Sequence, residues 1–421
     1  MKGMRRAVAP GLTALRILAA FLGLLVAHGT RADWPRFLGP TRDGVVPGPS
    51  PAPWPEAGPA IAWKVDVGRG FSGPVTVGGR VLLHHRRGNE EVLEAMDGAS
   101  GRSLWRATQP TSYEDDFGFD DGPRGTPAVA GGHVIAFGAE GRLSCVSLAD
   151  GATRWSRPLG RELGADKGFF GFACSPLVWS NRVVVQVGGR GGAGVVALDV
   201  ASGAILWKAT SDEAGYASPV MATVDGAARL VVLNREGVRV LDPGDGRVLS
   251  ALPFRSRQHA SVNAATPLAS ADGVFVTASY DTGAAWLRWK GGGVLEEAWR
   301  QPDGLSAHIS TPVRRGGWLF GFHGRQEQGG ELRCIRVSDG TVAWSSGRMG
   351  VGSVLLQGDR LVVLLESGEL LLGEATEAGW KVLARGQVLG SGVRAAPALD
   401  GGVLYARDKS RLVAVRLGGG R

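Results

Sequence analysis

The chain reads as an all-β protein, an eight-bladed β-propeller of four-stranded antiparallel blades. Three features point there. Residues 174–208 spell four short strands in a row. The markers of that stretch, a proline at its start and a tryptophan at its end, recur along the chain. An unpartnered strand near the start matches one missing at the end.

In the reference stretch, Ser175-Pro176 opens an apolar run at residues 177–179, and Ser180-Asn181 supplies a turn. Residues 183–187 are strand-like by their β-branched content. Residues 188–194, rich in glycine, are expected to be loop. Residues 195–199 form a third run, and Ser202-Gly203 turns the chain into a last strand ending on Trp207. Strands of about five residues joined by tight Gly turns make an antiparallel meander. One such sheet cannot bury both faces alone, so copies must stack.

The proline recurs as Pro74, Pro127, Pro176, Pro219, Pro267, Pro312 and Pro397, at spacings of 53, 49, 43, 48 and 45 residues up to Pro312. The remaining gap of 85 holds two repeats, and residues 352–356 (GSVLL) start the missing one without a proline. The tryptophan recurs as Trp105, Trp155, Trp207, Trp299, Trp344 and Trp380, with Val248-Leu249 in the fourth copy. That makes eight units. The last, residues 395–417, stops after three strands, and residues 61–65 (IAWKV) are an orphan fourth. An N-terminal strand that completes the C-terminal blade closes the ring and removes the exposed sheet edges.

Outside the repeats, residues 1–32 read as a signal peptide. Lys2, Arg5, Arg6 and Arg16 precede or flank an eleven-residue apolar core at 17–27, and Thr30-Arg31-Ala32 offers a cleavage site. The core is shorter than the roughly 20 residues that span a bilayer. Arg5-Arg6 invites a twin-arginine reading, but nothing else of that signal accompanies it, so export by the Sec route to the periplasm or beyond is expected. No cysteine near the cleavage site offers a lipid anchor. Without the segment's five basic residues the formal charge falls from +8 to +3, which is no nucleic-acid footprint. Residues 33–59 form a Pro-rich arm with too many prolines to join a sheet. It is expected to lie extended over the propeller, pinned by Trp34, Phe37 and Trp54; a disordered linker is the alternative. Residues 60–421 are the propeller domain.

Cys145, Cys174 and Cys334 show no CxxC spacing and are odd in number, which implies neither a zinc site nor a disulfide framework. Aligned on the third strand, Cys145 and Cys334 stand where other copies have Ala95, Ala197 and Ala414, a place for a small buried side chain. Cys174 stands two before the proline, where other copies also have small residues. The histidines show no HExxH spacing, and no GxSxG is present, so a hydrolase has little support.

The repeat SPLVWSNRVVV…GVVALDVASGAILW resembles the pyrroloquinoline-quinone-like (PQQ-like) repeat, not WD40 or kelch. More narrowly, DWPRFLGPTRDG, GPRGTPAV, FGAEGRLSCVSL, AGYASPV, VNAATPL, HISTPV and YARD resemble a secreted bacterial PQQ-like propeller family of planctomycete type. The resemblance covers nearly everything after residue 33 and implies fold more strongly than activity. Quinoprotein dehydrogenases, which give the repeat its name, hold PQQ against a vicinal disulfide with a Ca²⁺ ion and an Asp base nearby. Here no two cysteines are adjacent, no CxxCH exists, and the repeats lack long insertions. The outer-membrane assembly lipoprotein of Gram-negative bacteria, a propeller without cofactor that serves as a scaffold, is the better analogue, although this chain lacks its lipid-modified cysteine.

The expected function is therefore that of an exported, non-enzymatic binding or scaffold module, a monomer without cofactor and without a transmembrane segment in the mature chain. Its partner is a protein or small-molecule ligand of the cell envelope, not a nucleic acid. The alternative is a PQQ- and Ca²⁺-dependent alcohol or sugar dehydrogenase. The linkers from each outer strand to the next inner strand gather at one mouth of the channel. Large polar and aromatic residues there, Phe71, Asp116, Arg124, Tyr216, Asn263, His308 and Arg394, form the candidate binding set. Residues 107–124 make the long linker, acidic and aromatic together, without the oxygen spacing of a calcium loop. The competing reading has Arg124 and Arg394 neutralise that loop and brace the blades.

Overall fold

The structure is a computed structural model that describes residues 33–418; the expected signal peptide at 1–32 lies outside the described residues. Eight four-stranded antiparallel sheets follow one another around a ring. Blade 1 runs from its inner strand Val75–Val77 through Arg80–Arg87 and Glu90–Asp97 to its outer strand Ser103–Pro110. Blades 2 to 7 repeat that order, blade 7 spanning residues 352–387. Blade 8 has Ala398–Asp400, Val403–Arg407 and Arg411–Arg416, and its outer strand is Ala60–Asp66 from the start of the chain. The ring is thus closed by pairing residues more than three hundred positions apart.

Each of the seven recurrent prolines stands immediately before an inner strand. That strand is the free edge at the channel, so the missing N–H costs no ladder bond there. In blade 3 the second and third strands are longer than the glycines suggest, Arg182–Gly189 and Ala193–Asp199, leaving only residues 190–192 as loop. A register shift between Gln186 and Gly189 absorbs the extra residue, with Gly188 at φ 68°, the conformation a bulge needs. The outer strand, Ile205–Ala209, also runs two residues past Trp207.

The tryptophans staple neighbouring blades. The indole N–H groups of Trp63, Trp105, Trp155, Trp207, Trp299 and Trp344 each donate to a carbonyl of the next blade, at 2.6–3.2 Å. The ring of Trp155 lies on Gly203, where a Cβ would come within 2.7 Å, and Gly101, Gly151, Gly246 and Gly340 serve their tryptophans in the same way. On the third strand the residue facing the indole is small in five blades, Ala95, Cys145, Ala197, Cys334 or Ala414, all fully buried, whereas in blade 5 Trp299 faces Trp286. Two copies depart from the sequence alignment. Register places Ser250 and Ala384 at the staple position of blades 4 and 7, facing the larger Val240 and Leu372, while Trp380 pairs with Ala375 nearer the hairpin. Trp380 stands four residues before the staple position, at the start of its strand, so the copy carries a tryptophan without carrying a staple.

The arm at 33–59 docks on five blades and does join a sheet. Val45–Val46 pairs in parallel with the inner strand of blade 7, Gly352–Gln357. Trp34 bridges to Thr76 of blade 1, the Pro35 carbonyl accepts the N–H of Val129 of blade 2, and Arg42 donates to the carbonyls of Ser175 and Pro176 at blade 3. Ser50 reaches Asp359, the Trp54 indole donates to the Arg385 carbonyl beside Ala384, and the Ala52 N–H donates to the carbonyl of Gly418 at the end of blade 8. Two consecutive valines between prolines suffice for a bridging strand, because the edge of blade 7 lacks the proline the other blades carry there. Among the described residues the one helix is the single turn Leu159–Glu162, and no helix is long and apolar enough to cross a membrane.

Candidate binding site in the central channel

A cavity of about 410 Å³ occupies the channel. Phe37 and Leu38 of the arm close one end. The other end opens between the linkers that join each outer strand to the next inner strand.

One long wall is residues 111–127. Its carboxylates turn inward and fold the loop. Asp115 accepts the N–H groups of Phe117, Phe119 and Asp120 at 2.9–3.2 Å and pairs with Arg124 at 3.1 Å. Asp121 accepts the N–H of Asp115, and Asp120 that of Gly122. Carboxylates so engaged leave the loop's aromatic residues to face outward. Phe117 is 52% exposed and Phe119 38%. A second linker of similar length, residues 159–176, brings Phe169 and Phe170, whose N–H groups donate to the hydroxyl of Tyr216 at 2.8 and 3.1 Å. Phe117 lies 5.1 Å from Phe170 and 6.4 Å from Phe119, centroid to centroid.

Guanidinium groups stack among these rings. Arg124 lies over Phe71, Tyr113 and Phe170 at 5.5–5.9 Å. Arg394 lies over Phe71 and Phe119 at 5.5 and 5.1 Å, and pairs with Glu366 at 2.7 Å. Both arginines therefore brace carboxylates and line the cavity at once. Across the mouth, His308 Nδ1 donates to Gln326 Oε1 at 2.8 Å, while Nε2 accepts from the Tyr280 hydroxyl at 2.9 Å. Burial pulls its pKa below the ordinary imidazole value, in keeping with that neutral tautomer. Arg325 covers the Tyr280 ring at 4.4 Å.

Five of the seven candidate residues, Phe71, Arg124, Tyr216, His308 and Arg394, line the cavity. Two do not. Asp116 points outward and pairs with Lys167 at 2.7 Å. Asn263 is buried, its amide donating to the carbonyls of Asn234 and Phe254 while its own carbonyl accepts from Tyr216 and Ala217. The long linker also begins after Pro110 rather than at residue 107, since Ala107 still pairs with Leu93. Sequence reasoning missed Phe169, Phe170, Tyr280 and Arg325. An adjacent aromatic pair beside glycine in the other long linker was the one available signal.

The cavity has a second tier of residues. The residue before the blade proline is Thr126, Ser175, Ser218, Thr266 or Thr311 in blades 2 to 6, and all five line the cavity. Each hydroxyl oxygen accepts the N–H of the equivalent residue one blade earlier, from Gly73 round to Thr266, at 2.9–3.0 Å. Blade 8 has Ala396 there and contributes no hydroxyl.

A quinone and Ca²⁺ pair of the quinoprotein kind needs adjacent cysteines and clustered carboxylates. Cys145, Cys174 and Cys334 are free, buried and in different blades, and among the described residues no group of His, Cys, Asp and Glu is placed to hold a metal ion. Glu366 and Glu327 at the cavity each face an arginine. These residues do not fit that pair.

A family model described as outer membrane protein assembly factor BamB matches residues 88–346 and 296–421. An outer membrane protein assembly factor BamB of Yersinia pestis is 32% identical over 151 residues, 35% of this chain and 36% of the relative, so the match spans about a third of that protein's length. The fold is similar to that of BamB from Moraxella catarrhalis, with a TM-score of 0.62 and 14% identity over 86% of this chain and 98% of that one. It is also similar to a europium-containing methanol dehydrogenase, at 0.52 and 13% over 91% and 89%. A quinohemoprotein alcohol dehydrogenase of Comamonas testosteroni follows at 0.51 and 15%, over 93% and 81%. At such identities the solved structures speak to fold alone.

Proposed function

Since the chain belongs to the family described as outer membrane protein assembly factor BamB, we propose that it is an exported, non-enzymatic scaffold of the cell envelope, taking part in outer-membrane protein assembly. It engages its partner through the mouth of the channel. The observation that carries this reading is the exposed aromatic set, Phe117 and Phe119 backed by Phe169, Phe170 and Tyr216, with Arg124 and Arg394 stacked into it. Aromatic and arginine side chains on a rigid scaffold are what interfaces concentrate. Placement among the secreted planctomycete-type members rests on the motifs DWPRFLGPTRDG, GPRGTPAV and YARD. Export to the periplasm or beyond by the Sec route rests on residues 1–32, and action as a monomer on the closed ring, which leaves no blade short of a strand.

A photo-cross-linking phenylalanine at position 117, tested in native envelopes, is expected to give a discrete protein adduct that the same group at Val382, exposed on the outer strand of blade 7, does not. Adducts from the rim and none from the mouth defeat the proposal. PQQ with Ca²⁺ is expected to leave the melting temperature unchanged and to yield no dye-linked alcohol oxidation. A tight ligand at a hundredfold excess over Kd adds roughly 2.7 kcal/mol, so a clear rise in Tm, or turnover, turns the reading to a quinoprotein dehydrogenase.

A further inference from the structure

The five hydroxyls of the channel have a property beyond bracing the blades. A Ser or Thr hydroxyl has two acceptor lone pairs and one hydrogen to donate. In Thr126, Ser175, Ser218, Thr266 and Thr311 the oxygen accepts a backbone N–H, and none of the five donates a hydrogen bond among the described residues. All five are buried, at 3–4% exposure, and all line the cavity. Buried donors are as a rule satisfied. Five unspent O–H groups from five successive blades around one axis ask for acceptors in the space between them.

The charge at that end of the channel has the same sign of demand. Arg42 is 3% exposed, and its guanidinium touches only the carbonyls of Ser175 and Pro176, while its Nε has no partner. Arg36 stands nearby, and its buried Nε is likewise without a partner. Among the described residues neither arginine has a carboxylate within ion-pair distance, whereas Arg124, Arg325 and Arg394 at the mouth each have one. Burial, followed by the repulsion of Arg36, draws Arg42 down to about 9. A buried cation is ordinarily paired; Arg42 does not itself line the cavity, so an anion on the Ser175 hydroxyl would feel its charge across the Ser175–Pro176 backbone.

We propose that the closed end of the channel binds the oxyanion head of a small aromatic or apolar acid. The head rests on the hydroxyl ring, with the Arg42 charge behind the Ser175–Pro176 backbone, and the apolar body lies among the phenylalanines nearer the mouth. A cavity of about 410 Å³ holds a molecule of one to three rings and excludes a folded partner. This site is separate from the capture of a protein at the mouth, and neither depends on the other.

Calorimetric titration of the full chain with 2-naphthoate and with the neutral 2-naphthylmethanol tests it. The acid is expected to bind about tenfold or more tightly than the alcohol. Arg42→Met is expected to abolish that preference, and Thr266→Val to weaken the acid several-fold while leaving the alcohol unchanged. Equal binding of the two probes, or no binding of either, overturns the proposal. So does a preference that survives both variants, or one lost only in Arg394→Gln, which would put the acid at the mouth. If either variant fails to fold, the two probes on the unaltered protein still decide, since hydroxyls holding only water give no preference for charge. The cross-linking experiment at Phe117 reads the mouth alone, so the two ideas fail separately.

Discussion

His85 lies fully buried in the second strand of blade 1, with Nδ1 accepting the N–H of Gly68 at 2.7 Å and Nε2 3.2 Å from Glu94. The accepting Nδ1 makes Nε2 the protonated nitrogen of a neutral ring, and burial holds the pKa of this histidine below the ordinary value. Burial by itself raises the carboxyl of Glu94, but hydrogen bonds from His85, Arg106 and Ser103 outweigh it and bring the group to about 2. Both shifts work against acid. A group depressed in the folded state stabilises above its unfolded pKa and loses that contribution as pH falls toward the folded one. For His85 the loss begins as pH passes below 6.5, and for Glu94 it runs from 4.5 to about 2. Glu94→Gln is expected to cost on the order of 2 kcal/mol at pH 7. Urea unfolding at a series of pH values should show that gap closing below pH 4.5; a gap independent of pH would mean the charge of Glu94 is immaterial.

At the scale of the element, the staple between blades joins two requirements. Trp155 donates to Val200 at 2.8 Å and covers Gly203, which sits at φ 70°. Trp155→Phe keeps most of the apolar cover and loses one hydrogen bond, about 1 kcal/mol. Gly203→Ala adds a methyl 2.7 Å from the indole in a conformation that L-residues disfavour, and is expected to cost about 1–3 kcal/mol. Chemical denaturation of the two variants should therefore rank the smaller change as the more damaging. The reverse ranking would show that the indole moves aside freely. Blades 4 and 7, with Ser250 and Ala384 in place of the tryptophan, show that the ring tolerates gaps when another contact fills them. Ser250 accepts the N–H of Leu295 at 3.1 Å, and Trp54 of the arm reaches the backbone beside Ala384.

For the whole molecule, the N-terminal segment does two separable things. Residues 33–59 tie blades 1, 2, 3, 7 and 8 together and close one end of the channel, whereas Ala60–Asp66 closes the ring itself. Removing 33–59 is expected to lower the melting temperature yet leave one sharp transition. Removing 33–68 leaves blade 8 with three strands and an open edge, and is expected to end cooperative unfolding and cause aggregation. Calorimetry of the two truncations distinguishes them; two identical melts would mean that the pairing of Ala60–Asp66 with Arg411–Arg416 contributes little to closure.

The sequence by itself determined the repeat, the number of blades and the strand that closes the ring. It also marked the small residues opposite the staple in five blades, though not Trp286 opposite Trp299. Those are periodic or local signals, written in prolines at free strand edges, glycines at tight turns and β-branched runs. It also pointed to one mouth and to Phe71, Arg124, Tyr216, His308 and Arg394, because residues at a constant offset from the proline must gather at one end of a closed ring. The tertiary structure alone decided the rest. Asn263 shares that offset, yet its amide meets backbone carbonyls its neighbours leave open, and Asp116 is turned out by the fold of its own loop. The Ser and Thr before the prolines stood in the motifs, but their bonds run between neighbouring blades some forty-five residues apart and exist only once those blades have packed. Arg42 could not be assigned either, because nothing near it in sequence announces a channel. Its surroundings are made by blade 3 and the arm meeting across the axis, and the lack of a carboxylate there is a property of that meeting.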